Sequence, residues 1–192
     1  MIPFIEHWVS TFWLAFTVLW VAAAFTSKRT VQVQSGGSRL LQAGLVLIGV
    51  TLIFNLIPWS MSGLLTERLT PESTPVVLGG AVLTVAGMLF SVWARLTLGR
   101  NWSGTVTIKQ DHELIQSGPY RIVRHPIYTG MLLAMLGTAF TYGIARCFVG
   151  VPIVGLAFWL KVQIEEQFMV QQFGALYVHY RQQVRALIPF VL

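Results

Sequence analysis

The chain has 192 residues, 10% of them charged and 55% hydrophobic, with a net charge of +6 and a mean hydropathy of +0.67. A soluble domain carries about 25% charged residues, so this chain lacks the polar surface to cover a water-facing globule; disorder is excluded too, because it needs low hydrophobicity and high charge. One cysteine, Cys147, excludes a disulfide framework and a multi-cysteine zinc site, which leaves an integral membrane protein, expected as a single membrane domain over 1–192.

In chain order, residues 7–25, 40–66, 73–94 and 126–145 contain no Lys, Arg, Asp or Glu, and a shorter run, 147–160, ends at Lys161. A spanning helix needs roughly 20 apolar residues. Four runs reach that length, and the fifth does so if Lys161 snorkels from the helix end. The expectation is an all-α, polytopic helical bundle with about five spans, at 7–25, 40–60, 76–96, 126–142 and 146–164. Stretches such as Leu45-Val46-Leu47-Ile48 do not alternate as barrel strands do. Ala22-Ala23-Ala24 mimics a signal cleavage site, but the segment before Trp8 holds Glu6 and no basic residue, the wrong start for a signal peptide. Asn55 and Pro58 are polar or kinking features inside the second span.

The connections set the orientation. Lys28, Arg29, Arg39, Arg95, Arg100, Lys109, Arg121, Arg124, Lys161, Arg181 and Arg185 fall on one side, against Arg68 and Arg146 on the other. The positive-inside rule predicts an outside N-terminus and a cytoplasmic C-terminus. It also accounts for the net charge without nucleic acid.

Polar chemistry gathers in two cytoplasmic places. The connection 97–125 is too long for an idle linker. It predicts an extended segment at 105–109 and a Gly118-Pro119 turn, folded back onto the helix ends. Pro126 suits the first turn of the fourth span, which puts Arg124 and His125 at that helix's N-terminus, where backbone N–H groups favour an anion. From these residues alone, a site and an interfacial contact with lipid phosphate are both open.

The tail from Lys161 repeats apolar residues at 162, 169, 173, 176, 180, 184 and 187, a helical spacing that Gly174 interrupts. Glu165 and Glu166 point about 100° apart on such a helix, so one is expected to face solvent and one inward. An inward carboxylate needs a cation, from Arg121, Arg124 or a bound positive ligand. No metal is expected, since His112 and His125 on a loop complete no ligand spacing. Neither a Gly-x-Gly-x-x-Gly phosphate loop nor a Gly-x-Ser-x-Gly elbow is present.

His112-x-Leu114, Gly118-Pro119-Tyr120, Arg124-His125-Pro126-x-Tyr128-x-Gly130, then Glu165-Glu166 and Phe173-Gly174-x-x-Tyr177-x-x-Tyr180 resemble the isoprenylcysteine carboxyl methyltransferase family. These integral membrane enzymes use S-adenosylmethionine and have phospholipid N-methyltransferases as relatives. The resemblance covers roughly 95–185. It implies a cytoplasmic cofactor site made by the loop before the fourth helix and by the C-terminal tail. His112, Leu114, Gly118, Tyr120, His125, Pro126, Tyr128 and Glu165 would bind the cofactor, and Arg124, Glu165 and Glu166 would form the catalytic set. Family members often carry arginine four residues ahead of the glutamate pair, where this chain has Lys161. A lysine makes no bidentate carboxylate contact, so Arg124, Arg181 and Arg185 are alternatives for an acceptor carboxylate.

Methyl transfer from a sulfonium is an in-line displacement accelerated by positioning. The cation suits aromatic faces, with Tyr120, Tyr128 and Trp102 as candidates. Trp102, Lys161 and Arg181 are assigned to the substrate. A lipophilic methyl acceptor is expected, its tail in the membrane lipids and its head at the cofactor. Carboxyl O-methylation leads, with phospholipid N-methylation and thiol S-methylation as alternatives. Outside enzymes, an assembly protein stays open, while transport would need charges at mid-membrane that the spans lack.

Overall fold

The structure is a computed structural model. It describes residues 1–24, 30–33, 35–57, 63–99, 102, 107–109 and 113–189, with backbone alone at 24, 30–33 and 107–109. In chain order the elements are α1 (Ile2–Ala24), β1 (Thr30–Val33), α2 (Gly36–Phe54), α3 (Thr74–Leu98), β2 (Thr107–Lys109), α4 (Pro126–Tyr142), α5 (Ala145–Phe173) and α6 (Ala175–Gln183), with 3-10 turns at Leu64–Thr66 and Gly118–Arg121. Among the described residues, α1, α2, α3 and α5 are long and apolar enough to cross a membrane. The 17-residue α4 stands at the short end of the roughly 17–25 residues that spanning takes.

Each expected span corresponds to a helix, but α1 and α2 begin earlier than expected, at Ile2 rather than 7 and at Gly36 rather than 40, and two ends lie well away from those expected. The second stops at Phe54 rather than 60, because Asn55 adopts a left-handed backbone (φ 51°) and caps it. Asn55 is therefore a terminator and not a kink; Pro58 lies outside the described residues. The freed carbonyls of Leu52 and Ile53 accept from Arg146 at 2.7 and 3.2 Å, which satisfies a helix end that would otherwise be orphaned. The fifth helix runs on to Phe173 rather than 164. At 29 residues it is about 43 Å long, more than the roughly 30 Å of hydrocarbon. Its last turns, with Glu165 and Glu166, can therefore stand clear of the hydrocarbon.

Lipid offers helices no hydrophobic reason to associate, so close packing and hydrogen bonds must do it. Glycines bring α3 and α4 backbone to backbone. A Cβ on Gly87 would stand 2.4 Å from the Ala134 nitrogen, and one on Gly137 would stand 2.4 Å from that of Thr84. Gly49 and Gly150 join α2 to α5 in the same way. Hydrogen bonds cross the seams: buried Ser91 Oγ donates to the Ile127 carbonyl at 3.1 Å, and half-buried Trp13 Nε1 to Thr138 Oγ1 at 2.8 Å. The apolar core between them contains Ile53, Met135, Val154 and Phe158.

Gly143 (φ 70°) turns α4 directly into α5. That hairpin sends the C-terminal end of α5 back to the level where α4 begins. The C-terminal ends of α1 and α3 meet there too, since Arg95 donates to the carbonyls of Ala23 (2.6 Å) and Gly99 (2.7 Å). Of the expected extended segment 105–109, the described residues 107–109 form β2, which pairs antiparallel with β1. The bundle thus has one basic end, built among the described residues from 30–33, 35–39, 95–99, 102, 107–109, 113–125 and 161–189, where the site is assembled.

Candidate active site

Two stretches far apart in sequence close this end. Pro126 occupies the first turn of α4 and His125 is its N-cap residue. Just before them, Val123 forms a parallel bridge with Arg185. The Arg124 and His125 N–H groups donate to the carbonyls of Arg185 (2.8 Å) and Ala186 (3.0 Å), and Thr129 Oγ1 donates to that of Leu187 at 2.7 Å. Ala186 and Leu187 are buried with Val162 beside Tyr128. Further back, the Tyr180 hydroxyl donates to the Tyr120 carbonyl at 2.5 Å. The tail 184–187 is a strap laid along 123–129.

Beneath the strap both glutamates point inward, contrary to the expectation that one would face solvent. Glu166, 5% exposed, accepts on Oε1 from Arg124 Nε (2.8 Å) and NH2 (2.5 Å), and Arg181 Nε lies 3.1 Å from its Oε2. Arg124 also donates to the Val184 carbonyl, so the guanidinium ties α5 to the strap. Glu165 Oε1 accepts from the Tyr128 hydroxyl at 2.5 Å. His125 lies between the pair, with Nδ1 3.3 Å from Glu165 Oε2 and Nε2 3.3 Å from Glu166 Oε1. The Tyr128 ring stacks on Phe158 at 4.8 Å between centroids and on His125 at 5.8 Å. Lys161 Nζ stands 5.4 Å from that ring's centre.

An imidazole with a carboxylate oxygen at each nitrogen favours its doubly protonated form. Burial alone would depress the His125 pKa, but the hydrogen bonds to Glu165 and Glu166 outweigh it and raise the value above the ordinary 6.5. A group whose folded pKa is raised contributes stability that is full below its unfolded pKa and is lost as pH rises through the folded one. We therefore expect thermal stability to fall as pH climbs from 6.5 through the raised value, and the slope to flatten in His125→Gln. A wild-type melting temperature unchanged over that interval would contradict the imidazolium. Burial likewise pushes the Tyr120, Tyr177 and Tyr180 hydroxyls upward, so they stay protonated donors.

A cavity of about 490 Å³ opens beside this cluster, within the roughly 300–1,000 Å³ of small-molecule sites. Its polar end is lined by Tyr120, Arg124, His125, Lys161, Glu165 and Tyr177. The other end is lined by Trp13, Phe16, Met131, Met135 and Phe158. From Tyr128 to Met135 along α4 is about 10 Å, so the cavity runs from the carboxylates down into the apolar bundle. Trp102 forms part of the wall, held by the Arg95 guanidinium 4.4 Å from its ring centre and by Trp20 edge-on at 5.7 Å.

Residues 76–175 match the family model described as phospholipid methyltransferase, and that segment is more than half of the chain. The chain belongs to the phospholipid methyltransferase family. Among curated relatives, protein-S-isoprenylcysteine O-methyltransferase B of Arabidopsis thaliana is 30% identical over 115 residues, 58% of each chain. The probable protein-S-isoprenylcysteine O-methyltransferase of Oryza sativa subsp. japonica is 33% identical over 115 residues, 58% of this chain and 60% of that one. The match thus spans about three-fifths of these relatives. A solved structure of a eukaryotic intramembrane Ras methyltransferase, isoprenylcysteine carboxyl methyltransferase, superposes with a TM-score of 0.52 over 84% of this chain and 55% of that one, at 22% identity. At that identity the likeness speaks for the fold.

The family's shared segment contains every polar residue of the cavity's α4 and α5 walls. Of the residues that the sequence assigns to a cofactor, Leu114, Tyr120, His125, Tyr128 and Glu165 line the cavity. Gly118 does not: its φ of 58° makes the turn, and it packs by Thr97 and Trp93. Pro126 is fully buried, starting α4 instead. His112 lies outside the described residues. Of the catalytic set, Arg124 and Glu165 line the cavity, while Glu166 is turned behind Arg124. Of the substrate set, Trp102 and Lys161 line it, but Arg181 is engaged with Glu166.

The sequence assigned no role to Tyr177, Met131 or Phe158, which also line the cavity. The apolar phase through 173 and 176 misses Tyr177 because Gly174 (φ 53°) ends α5 and starts α6 at a new angle. As a result Leu176 is exposed and Tyr177 is buried. Met131 and Phe158 carry no signal that separates a cavity wall from a lipid-facing side chain.

Proposed function

We propose that the chain transfers a methyl group from S-adenosylmethionine to the carboxylate of an isoprenylcysteine-like lipophilic acceptor. The observation that carries this is one cavity with two characters: carboxylate, imidazole, phenol and ammonium groups at the basic end, and tryptophan, methionine and phenylalanine below. By the positive-inside rule that end is cytoplasmic, with the N-terminus outside and the whole chain one membrane domain. The printed names of the plant relatives support the acceptor class.

The donor set suits the cofactor. Glu165 offers a carboxylate to its ammonium, Tyr120 and Tyr128 offer aromatic faces to its sulfonium, and His125 and Leu114 complete the wall. When bound, S-adenosylmethionine supplies an electrophilic methyl group on a sulfonium. The chain's own residues then bind, orient and exclude water. Glu166 holds Arg124, and Arg124 and Glu166 hold the polar wall in place. The Tyr128–Glu165 hydrogen bond fixes the phenol over which Lys161 stands, and Lys161 offers a cation to an acceptor carboxylate.

Both oxygens of Glu165 and both of Glu166 already face a donor, and His125 is engaged at both nitrogens. None of these groups is poised to take a proton. That arrangement suits a carboxylate, which is a nucleophile at neutral pH, better than an amine or thiol, which needs a base. Phospholipid N-methylation is the second possibility, favoured by the family's own description.

The test is isothermal titration with S-adenosylhomocysteine, followed by transfer of labelled methyl to farnesylcysteine or to phosphatidylethanolamine. Wild type should bind and methylate farnesylcysteine. His125→Ala and Glu165→Gln should weaken binding by about 10- to 100-fold, the effect of losing a hydrogen bond to a charged group. No binding by folded wild type would reject the cofactor; transfer to phosphatidylethanolamine alone would reject the carboxylate.

A further inference from the structure

Most polar groups at the carboxylate end of the cavity are engaged with the protein itself. Tyr128 donates to Glu165, His125 stands between both glutamates, and Arg124 is held by Glu166 and the Val184 carbonyl. The Tyr120 and Tyr180 hydroxyls donate to the carbonyls of Ala94 (3.5 Å) and Tyr120 (2.5 Å). Tyr177 differs. Gly174 turns α5 into α6 and brings this residue back against the cavity. It is 2% exposed and its ring meets Tyr180 edge-on at 5.9 Å, yet among the described residues its hydroxyl has no hydrogen-bond partner. A buried hydroxyl left without a partner is costly. One that lines a cavity can find its partner in a ligand.

Charge and position select the ligand atoms. The charges that act on the Tyr177 hydroxyl are those of Glu166, Arg124 and Glu165. Both oxygens of each glutamate already face a donor, and Arg124, Arg181 and the His125 imidazolium outnumber the two carboxylates. The corner is therefore electropositive. Burial, with the Glu166 charge behind it, keeps the phenol protonated. A protonated donor in an electropositive corner suits an anion and disfavours a second cation. The ammonium and carboxylate of an amino acid stand on one carbon, so a ligand whose ammonium meets Glu165 must place its carboxylate beside Glu165. We propose that the Tyr177 hydroxyl donates to the amino-acid carboxylate of S-adenosylmethionine, next to Arg124. This inference rests on the methyl-transfer reading and adds a binding residue to it. It also separates two ligand carboxylates. Lys161, one turn of α5 deeper than Glu165, takes the acceptor's; Tyr177 takes the cofactor's.

The full chain in micelles is titrated with S-adenosylhomocysteine and with its decarboxylated analogue, which keeps the ammonium and lacks the carboxylate. Tyr177→Phe keeps the ring and its contact with Tyr180. It should weaken S-adenosylhomocysteine binding by about 10- to 100-fold, the effect of one hydrogen bond to a charged group, and leave affinity for the analogue at the wild-type value. Tyr180→Phe, whose lost hydroxyl served the Tyr120 carbonyl, should keep the wild-type ratio of the two affinities. Wild-type binding of S-adenosylhomocysteine that Tyr177→Phe leaves unchanged would overturn this inference and leave the methyl-transfer reading standing. Equal weakening of both ligands would overturn it as well, since the hydroxyl would then act on the wall and not on a carboxylate. A raised KM for farnesylcysteine with S-adenosylhomocysteine affinity unchanged would also overturn it, giving the hydroxyl to the acceptor. Absence of binding by wild type would overturn both.

Discussion

Replacing Glu166 with alanine is expected to lower the unfolding free energy by about 3–5 kcal/mol, the cost of removing one partner of a buried ion pair. The loss comes mainly from what remains. Arg124, with a side chain only 9% exposed, would keep its charge at a site where two of its nitrogens now meet a carboxylate oxygen. Water does not readily reach that position, and a buried unpaired cation is more costly than the pair was favourable. Arg181, 47% exposed, loses its partner too. Being open to solvent it adds little, and Arg181→Ala alone should cost under about 1 kcal/mol. The double variant Arg124→Ala, Glu166→Ala should recover part of the deficit, since neither charge is then stranded. Chemical denaturation in micelles, followed by far-ultraviolet circular dichroism, reads all of these. A Glu166→Ala protein as stable as wild type would mean that Arg124 is hydrated and the cluster is open.

The elements legible in the sequence are those whose signal is local. Charge-free runs mark the helices, because hydrocarbon rejects ionised groups wherever they fall. Pro126 marks the start of α4, because its ring fits only the first turn. Convergence of the Arg124–His125 loop on Glu165 and Glu166 was implied by the family resemblance; the need of an inward carboxylate for a cation left Arg121, Arg124 and a bound ligand open. What stayed hidden depends on partners remote in sequence. The end of α2 at Asn55 is set by Arg146 reaching its last carbonyls. The inward turn of both glutamates is set by His125 standing between them; a helical wheel permits only one to face in when the opposing wall is flat. The strap is invisible in the sequence because it is held by backbone groups, and Val184-Arg185-Ala186-Leu187 has no period long enough to announce a strand. The apolar end of the cavity is hidden for a different reason: in a membrane chain, methionine or phenylalanine suits lipid, core and cavity equally well.

Deleting everything after Gln183 is expected to abolish S-adenosylhomocysteine binding, a loss of at least about 100-fold, while leaving the helical bundle in place. The strap accepts four hydrogen bonds from 124–129: from the N–H groups of Arg124 and His125, from the Arg124 guanidinium and from the Thr129 hydroxyl. Each is worth about 0.5–1.5 kcal/mol, and burial of Leu187 adds about 1.5–3 kcal/mol. Most of that energy acts on 123–129, the segment that presents Arg124, His125 and Tyr128 to the cavity. Its loss frees the wall of the site, while the seams α3–α4 and α2–α5 are held by glycine contacts remote from the strap. A 100-fold loss corresponds to about 2.8 kcal/mol, less than the strap contributes, so the expected effect lies within its means. Leu187→Ala should fall between the two proteins, since it keeps the backbone bonds and removes the buried side chain. Titration and circular dichroism on the same samples separate the outcomes. Full binding without the strap would show that 123–129 is ordered by α4 and α5 alone. Loss of helix together with binding would show that the tail stabilises the bundle as a whole and not the site.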